Sequence, residues 1–151
     1  MTPQADALIK ASFPNLRDGE YEVTSPQTRE YNCIAWAADD EENWWWPSAD
    51  DHWPDGVPRV NTVDNFILAF QRLGYEVCDD GDLQIQYEKV ALYANVNGPQ
   101  HMARQLSSGA WTSKLGSEWD IQHATTKAVE NDAYGEVVLF LRRLRGSKRN
   151  R

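Results

Sequence analysis

Cys33 and His101 are the residues of this sequence whose types could perform nucleophilic catalysis together. Cys33 lies in the run YNCIAWA (residues 31–37), where a short apolar helix is predicted to begin at the cysteine. The positive end of a helix dipole favours a thiolate over a thiol, and the thiolate is the nucleophilic form. A histidine that accepts and returns the proton completes such a site, and His101 is the candidate base. The pair therefore predicts attack on a carbonyl carbon, as in cysteine hydrolases.

These two residues must be positioned by a chain in which helices come first and strands follow. Apolar residues at helical spacing, with Asn61-Thr62 as cap, predict a helix that Gly74 ends. Apolar runs separated by turn residues predict antiparallel strands in the second half. The predicted helices span residues 4–12, 33–39 and 63–73, and the predicted strands span residues 20–24, 75–78, 87–94, 101–106, 110–115, 121–123 and 136–144. This order is typical of the α+β class.

A long segment rich in acids, tryptophan and proline separates the cysteine helix from the next helix. It covers residues 39–60 and holds Trp44, Trp45, Trp46 and Trp53. Long irregular segments inside a compact domain are usually functional or disordered, and we expect this many aromatic side chains to be packed. One interpretation is that the tryptophans cover the helix layer. The other is that they line a ligand site, because indole faces stack on sugars, bases and cations, and the neighbouring carboxylates would then select a cationic substrate.

Composition limits the classes of protein that fit this chain. Its 151 residues and formal net charge of −8 indicate one acidic domain and argue against broad binding of nucleic acids. We expect a single domain over residues 1–145 and a basic, flexible tail over residues 146–151, either solvated or docked on an acidic partner. The two cysteines make no disulfide framework and show no zinc-ligand spacing, so neither a metal nor another cofactor is expected. The sequence shows no secretory signal and no membrane-spanning run, which predicts a cytoplasmic protein.

The order of the predicted elements resembles that of a known fold. A cysteine that opens a helix, a histidine strand, a glycine hairpin and a further strand follow one another as in papain-like enzymes, most closely the NlpC-type and CHAP peptidases and amidases of bacteria. The stretch HMARQLSSGAWTS (residues 101–113) is similar to their histidine strand and hairpin. The chain also resembles an uncharacterised bacterial family of small proteins with the motifs YNCIAWA and WTSKLG, the second of which lies here at residues 111–116.

The resemblance implies a papain-like α+β fold in which N-terminal helices pack on an antiparallel sheet. It implies that Cys33 is the nucleophile, that His101 is the base and that a third polar residue, at Ser113, orients the imidazole. Asp120 and His123 are alternatives for the third position, because papain-like enzymes usually have His, Asn, Gln or Asp there.

Two polar residues before the cysteine are candidates for stabilising an oxyanion. Gln27 lies six residues before Cys33, which is the spacing of the oxyanion glutamine in papain-like enzymes. Tyr21 lies twelve residues before it, near the spacing of the corresponding tyrosine in NlpC-type enzymes. Together with the four tryptophans of residues 39–60, these residues form the predicted substrate-binding set.

Two functions of different classes follow as expectations. The first is a cysteine peptidase or amidase that cleaves an amide or isopeptide bond in a peptide-like substrate. The second is a catalytically inactive papain-like module that binds a protein partner through its Trp-rich segment, which the unusual third residue at Ser113 favours. A toxin-type effector is a third hypothesis, because small papain-like domains often serve that role. A membrane or nucleic-acid partner is not expected.

Overall fold

An antiparallel sheet dominates the residues that the computed structural model describes, which are 3–16, 21–25, 27–115 and 118–146. Its seven strands within those residues are β1 (Tyr21–Ser25), β2 (Glu76–Cys78), β3 (Tyr87–Asn95), β4 (Gly98–Gln105), β5 (Trp111–Lys114), β6 (Asp120–His123) and β7 (Glu136–Leu144). They lie side by side in the order β1-β6-β5-β4-β3-β7-β2, and each neighbouring pair is antiparallel. β1 and β2 therefore form the two edges of the sheet.

Three short helices and one 3-10 turn accompany the sheet in the described part of the chain. They are α1 (Pro3–Ser12), α2 (Cys33–Ala37), α3 (Val63–Gln71) and the turn Thr126–Val129. The Thr62 hydroxyl caps α3 by accepting the backbone N–H of Asn65 at 3.2 Å. None of the helices seen in these residues is long and apolar enough to cross a membrane.

The side chains of the central strand β3 alternate between two apolar cores, one on each face of the sheet. Val90 and Leu92 point to the core that contains α2 and α3, which we call the α2 face. Ala91 and Tyr93 point to the core that α1 covers, which we call the α1 face. Since both faces of β3 are covered, the strand is apolar at almost every position of its middle.

Local hydrogen bonds determine where α2 begins and ends. Asn32 Oδ1 accepts the backbone N–H of Ala35 at 3.1 Å, so the helix starts at Cys33. The same oxygen accepts the backbone N–H of Trp45 at 3.1 Å, which ties the tryptophan segment to the helix cap. The helix is only five residues long. Soon after its end Asp39 adopts a positive φ of 61°, a conformation that a right-handed helix cannot contain.

The papain-like fold expected from the sequence is wrong. The structure is mainly a seven-stranded antiparallel sheet with a few short helices, rather than a set of N-terminal helices packed on a sheet. The cysteine helix is too short to form a layer, and strand β1 precedes it and pairs with the distant strand β6. The local predictions are confirmed, since each predicted helix and strand is present with its bounds shifted by a few residues. The predicted basic tail lies outside the described residues from position 147 onwards.

Candidate functional site

Cys33 lies where the neighbouring strands β4 and β5 separate. Arg104 of β4 pairs with Thr112 of β5, and no earlier residue of β4 pairs with β5 among the described residues. Beyond that pair the backbone N–H groups of Met102, Ile34 and Cys33 itself lie near enough to the sulfur of Cys33 to lower its pKa. α2 therefore presents its first side chain to the gap between the two strands.

The Cys33 thiol is protonated in this environment. Its side chain is only 6% exposed. Burial raises the pKa of the thiol to about 11, and the backbone N–H groups and the charge of Lys114 offset only part of this rise. The helix dipole of a five-residue helix is therefore outweighed by desolvation, and the resting state holds a thiol rather than the thiolate that the sequence favoured.

A chain of hydrogen bonds joins His101, Ser113 and His123 on three adjacent strands of the α1 face. His123 Nδ1 lies 2.7 Å from the carbonyl oxygen of Thr125, so this nitrogen carries the proton and Nε2 is an acceptor. The Ser113 hydroxyl therefore donates to His123 Nε2, at 2.7 Å. Its oxygen in turn accepts from His101 Nε2, at 3.1 Å. The contacts thus assign His101 as the tautomer with its proton on Nε2.

The remaining nitrogen of His101 is a lone-pair site without a partner. His101 is fully buried, and its Nδ1 has no hydrogen-bond partner among the described residues. The ring lies flat against Tyr134, with centroids 4.1 Å apart and planes 4° from parallel, and edge-on against Tyr93 at 5.0 Å. Burial, followed by the neighbouring His123, holds the pKa of His101 well below its usual range, so the imidazole is neutral.

The structure places Cys33 beside the residue that follows His101 but does not join the two side chains. The sulfur lies near the backbone N–H of Met102, the residue that directly follows His101. However, successive residues of a strand point to opposite faces, so the imidazole projects to the α1 face while Cys33 belongs to the core of the α2 face. No hydrogen bond between Cys33 and His101 is present among the described residues. Burial raises the pKa of Tyr134, which is stacked on His101. Tyr134 is also close enough to Cys33 that a charge on the sulfur raises the Tyr134 pKa further.

Asp120 belongs to a separate buried cluster on the α2 face. Its carboxylate accepts the Tyr31 hydroxyl at 2.7 Å. Lys114, itself fully buried, places its ammonium 5.5 Å from the centre of the Tyr31 ring. Burial raises the pKa of Asp120, and the Tyr31 hydrogen bond and the Lys114 charge oppose this. Of the three residues considered as partners of His101, the structure brings Ser113 and His123 into its hydrogen-bond chain and directs Asp120 to the other face.

The two predicted oxyanion donors are engaged elsewhere. Gln27 is exposed, and its amide nitrogen donates to the carboxylate of Glu118. The Tyr21 hydroxyl donates to the carboxylate of Asp6 in α1. The donors that lie near the Cys33 sulfur are backbone N–H groups, which sequence reasoning considered only for Cys33 itself.

The tryptophan segment packs against α3 and the α2 face. Trp45 is fully buried and donates from Nε1 to Asp40 at 2.8 Å, while Trp53 is 2% exposed. Trp46 is partly buried and packs edge-on against Phe66, with ring centroids 5.9 Å apart. Trp44 is partly buried as well. Trp45 and Trp53 are therefore part of the core rather than an open ligand wall.

The acidic residues beside this segment are also used within the protein. Arg104 pairs with Asp39 at 3.1 Å. Asp40 accepts from Trp45 and Asn43; burial alone would raise its pKa, but these and the backbone hydrogen bonds lower it overall. These two carboxylates thus make contacts within the protein. They therefore give less support to the expectation that the acidic residues of this segment select a cationic substrate.

Tyr134 and Lys114 are site residues that sequence reasoning missed. Tyr134 covers His101, yet it lies within the turn between Asn131 and Gly135 and reaches the site from the chain before β7. Lys114 lies within the WTSKLG motif, which was a signal that could have drawn attention to it. No group of three or more His, Cys, Asp or Glu side chains suited to a metal ion is present in the part of the chain that the structure describes.

A comparison with family models finds one match, described as a domain of unknown function (DUF7689), over residues 22–142. The matched range contains Cys33, His101, Ser113, Asp120 and His123, and it leaves α1 outside. No curated protein and no solved structure matches the chain.

Proposed function

Since the chain belongs to the DUF7689 family, whose description assigns no activity, we propose a function from its site. The protein is a cysteine hydrolase that cleaves an amide or isopeptide bond, with Cys33 as nucleophile and His101 as base. The observation that carries the proposal is the state of His101: Ser113 holds its Nε2, and its Nδ1 lone pair has no partner among the described residues. A buried polar atom without a partner is costly, and catalytic sites are one place where such atoms are retained.

The reaction uses these groups in two steps. The Cys33 sulfur attacks the carbonyl carbon of the amide while its proton moves to His101 Nδ1. The tetrahedral intermediate expels the amine, which takes the proton from His101, and a thioester remains. Water then attacks the thioester, again with His101 as base, and releases a carboxylic acid and the free thiol. The N–H groups of Met102 and Ile34, which lie near the sulfur, are donors available to the oxyanion.

Ser113 and His123 act as positioning residues in this proposal. Ser113 fixes the His101 tautomer that leaves Nδ1 unprotonated, and His123 fixes the direction in which the Ser113 hydroxyl donates. His123 is in turn fixed by the Thr125 carbonyl. This arrangement supplies, through two residues, the orientation that a single Asn or Asp supplies in other cysteine hydrolases.

Catalysis requires the site to open and the sulfur to reach the imidazole, because in the closed state the two side chains belong to opposite faces of the sheet. Cys33 is 6% exposed and His101 is fully buried, and both are neutral in the closed state. Movement of Tyr134 off the His101 ring is the smallest change that uncovers the imidazole, because the two rings are stacked. Turnover is therefore expected to depend on this opening as well as on the chemistry.

Alkylation of Cys33 by iodoacetamide at pH 7 tests the proposal without a known substrate. Cys78 is partly exposed and is first replaced in a Cys78→Ala background, so that the signal reports on Cys33 alone. We expect His101→Gln to slow alkylation at least ten-fold, because the base that accepts the thiol proton is lost. His52→Gln is the matched control, since His52 also has a buried ring nitrogen without a partner in the described part of the chain but lies in the tryptophan segment. Equal rates with and without His101 would contradict the proposal.

A non-catalytic binding module is the second candidate function. It is favoured by the burial of Cys33 and by the raised pKa of its thiol, which are typical of a structural cysteine. Its contact surface would include Trp44 and Trp46, the partly buried tryptophans of the segment. The same alkylation experiment separates the two functions: a Cys33 that stays inert in the folded protein, whatever stands at position 101, favours the binding module.

A further inference from the structure

A cavity of about 320 Å³ lies beside Tyr134, the residue that covers His101. Its lining is mainly apolar and comes from α1, from the segment after β5 and from the segment before β7. The apolar lining residues are Leu8, Ile9, Phe13, Leu115, Trp119 and Ala133. Pockets for small ligands typically have this size range and this character, with a few polar groups among apolar walls.

The cavity borders the candidate site through Tyr134. This residue lines the cavity, and its ring stacks on His101 with the centroids 4.1 Å apart. Leu115, another wall residue, directly follows Lys114 and so extends the strand that carries Ser113. A group that entered the cavity and displaced Tyr134 would therefore be next to the imidazole.

The polar groups of the cavity do not indicate a charged ligand. They are Ser12, Asn131 and Glu118. Asn131 donates to the carbonyl of Ser12, which ties α1 to the opposite wall. Glu118, the one carboxylate among the described lining residues, accepts from Gln27. The cavity is therefore better suited to an apolar group than to a cationic one.

We infer that this cavity receives an apolar side chain of the amide substrate, next to the bond that is cleaved. The inference rests on the proposed hydrolase function and narrows its substrate class to amides with an aliphatic or aromatic group beside the scissile bond. α1 then supplies one wall of the specificity pocket. Adding an apolar group that fills such a pocket typically changes reaction rates by ten-fold or more.

Two chloroacetamides of different size test this inference in the Cys78→Ala protein. In both, the Cys33 sulfur displaces chloride and forms a thioether, while the thiol proton goes to His101. We expect N-benzyl chloroacetamide to label Cys33 at least ten times faster than unsubstituted chloroacetamide, with a rate that saturates with concentration. Intact-mass spectrometry gives both rates.

Ala133→Trp and Ala49→Trp are the matched pair of variants. Both alanines are exposed, so both variants are expected to fold, but only Ala133 lines the cavity. We expect the ratio of the two rates to fall to about one in Ala133→Trp, because the indole fills the cavity, and to stay high in Ala49→Trp. A ratio near one in the parent protein, or a ratio that Ala133→Trp leaves high, overturns the pocket assignment. Loss of the His101 dependence with both reagents overturns the hydrolase proposal itself, so the two failures are distinguishable.

Discussion

Replacing Ser113 with alanine is expected to lower the free energy of unfolding by about 2–6 kcal/mol. The Ser113 side chain is fully buried, and its hydroxyl lies 3.1 Å from His101 Nε2 and 2.7 Å from His123 Nε2. Alanine removes the oxygen and leaves both imidazole nitrogens without a partner. A buried polar group left unpaired costs about 1–3 kcal/mol, and two groups are affected. The loss would be a large share of the stability of a typical domain, about 5–15 kcal/mol.

Urea unfolding followed by tryptophan fluorescence measures this loss, because the chain has seven tryptophans and two of those in residues 39–60 are buried in the core. Ser107→Ala is the control, since Ser107 is an exposed residue just after β4. The control is expected to change the free energy of unfolding by no more than about 0.5 kcal/mol. The difference between the two variants isolates the hydrogen-bond chain from the general effect of a serine-to-alanine change.

Nitrogen-15 NMR of the imidazoles gives a second readout that stability alone does not provide. In the unchanged protein, His101 is expected to carry its proton on Nε2 and His123 on Nδ1, because Thr125 and Ser113 impose these tautomers. A stability loss below about 0.5 kcal/mol in Ser113→Ala would refute the reasoning, because such a value is typical of a surface substitution. A His101 protonated on Nδ1 would refute it as well.

Three further perturbations test other parts of the structure. Between pH 6 and pH 5 the free energy of unfolding is expected to fall by about 2 kcal/mol, because the unfolded chain takes up protons on His101 and His123 below about pH 6.5 while the folded protein does not. Burial lowers the pKa of folded His123 to about 4 and that of His101 well below its usual range, so a flat urea stability profile over this interval would contradict the burial of neutral imidazoles. Asn32→Ala is expected to lower the free energy of unfolding, measured in urea, by about 2–4 kcal/mol, because it removes the α2 cap and the hydrogen bonds to Trp45. A decrease below about 0.5 kcal/mol would show that the cap is dispensable. Gly135→Ala is expected to prevent native folding, because the added Cβ would overlap the Ala94 carbonyl. Gly74→Ala is the control: Gly74 has a similar positive φ but open space around it, so this variant is expected to fold and to be about 1 kcal/mol less stable. Circular dichroism of the two purified variants separates these outcomes, and a native spectrum for Gly135→Ala would contradict the expectation.

Local sequence patterns were sufficient to locate the helices and strands. In α3, the apolar spacing and the Thr62 cap are both present within residues 62–71, and the structure has the helix at Val63–Gln71. The last strand, Glu136–Leu144, has the bounds expected from its apolar run. These elements were predictable because capping and periodicity depend on residues within a few positions of each other.

The arrangement of these elements was not predictable from the same patterns. The papain-like resemblance relied on the order of a cysteine helix, a histidine strand and a hairpin, and that order does not determine which strands become neighbours. β1 pairs with β6, and the three-residue strand β2 pairs with β7. Both pairings join segments that are far apart in sequence, and they extend the sheet at both edges beyond the elements that carried the resemblance.

In the candidate site, too, some features follow from local sequence and others only from the tertiary structure. The sequence by itself determined that a cysteine would open a short helix, because Asn32 caps it locally, and that His101 would lie in a strand. Only the tertiary structure decided that Cys33 would be a buried thiol near the backbone of Met102, that Asp120 would turn to Tyr31, and that Ser113 and His123 would reach His101. The physical reason is that side chains alternate along a strand, so the face that each one joins depends on how distant strands are paired and on which helix covers each face.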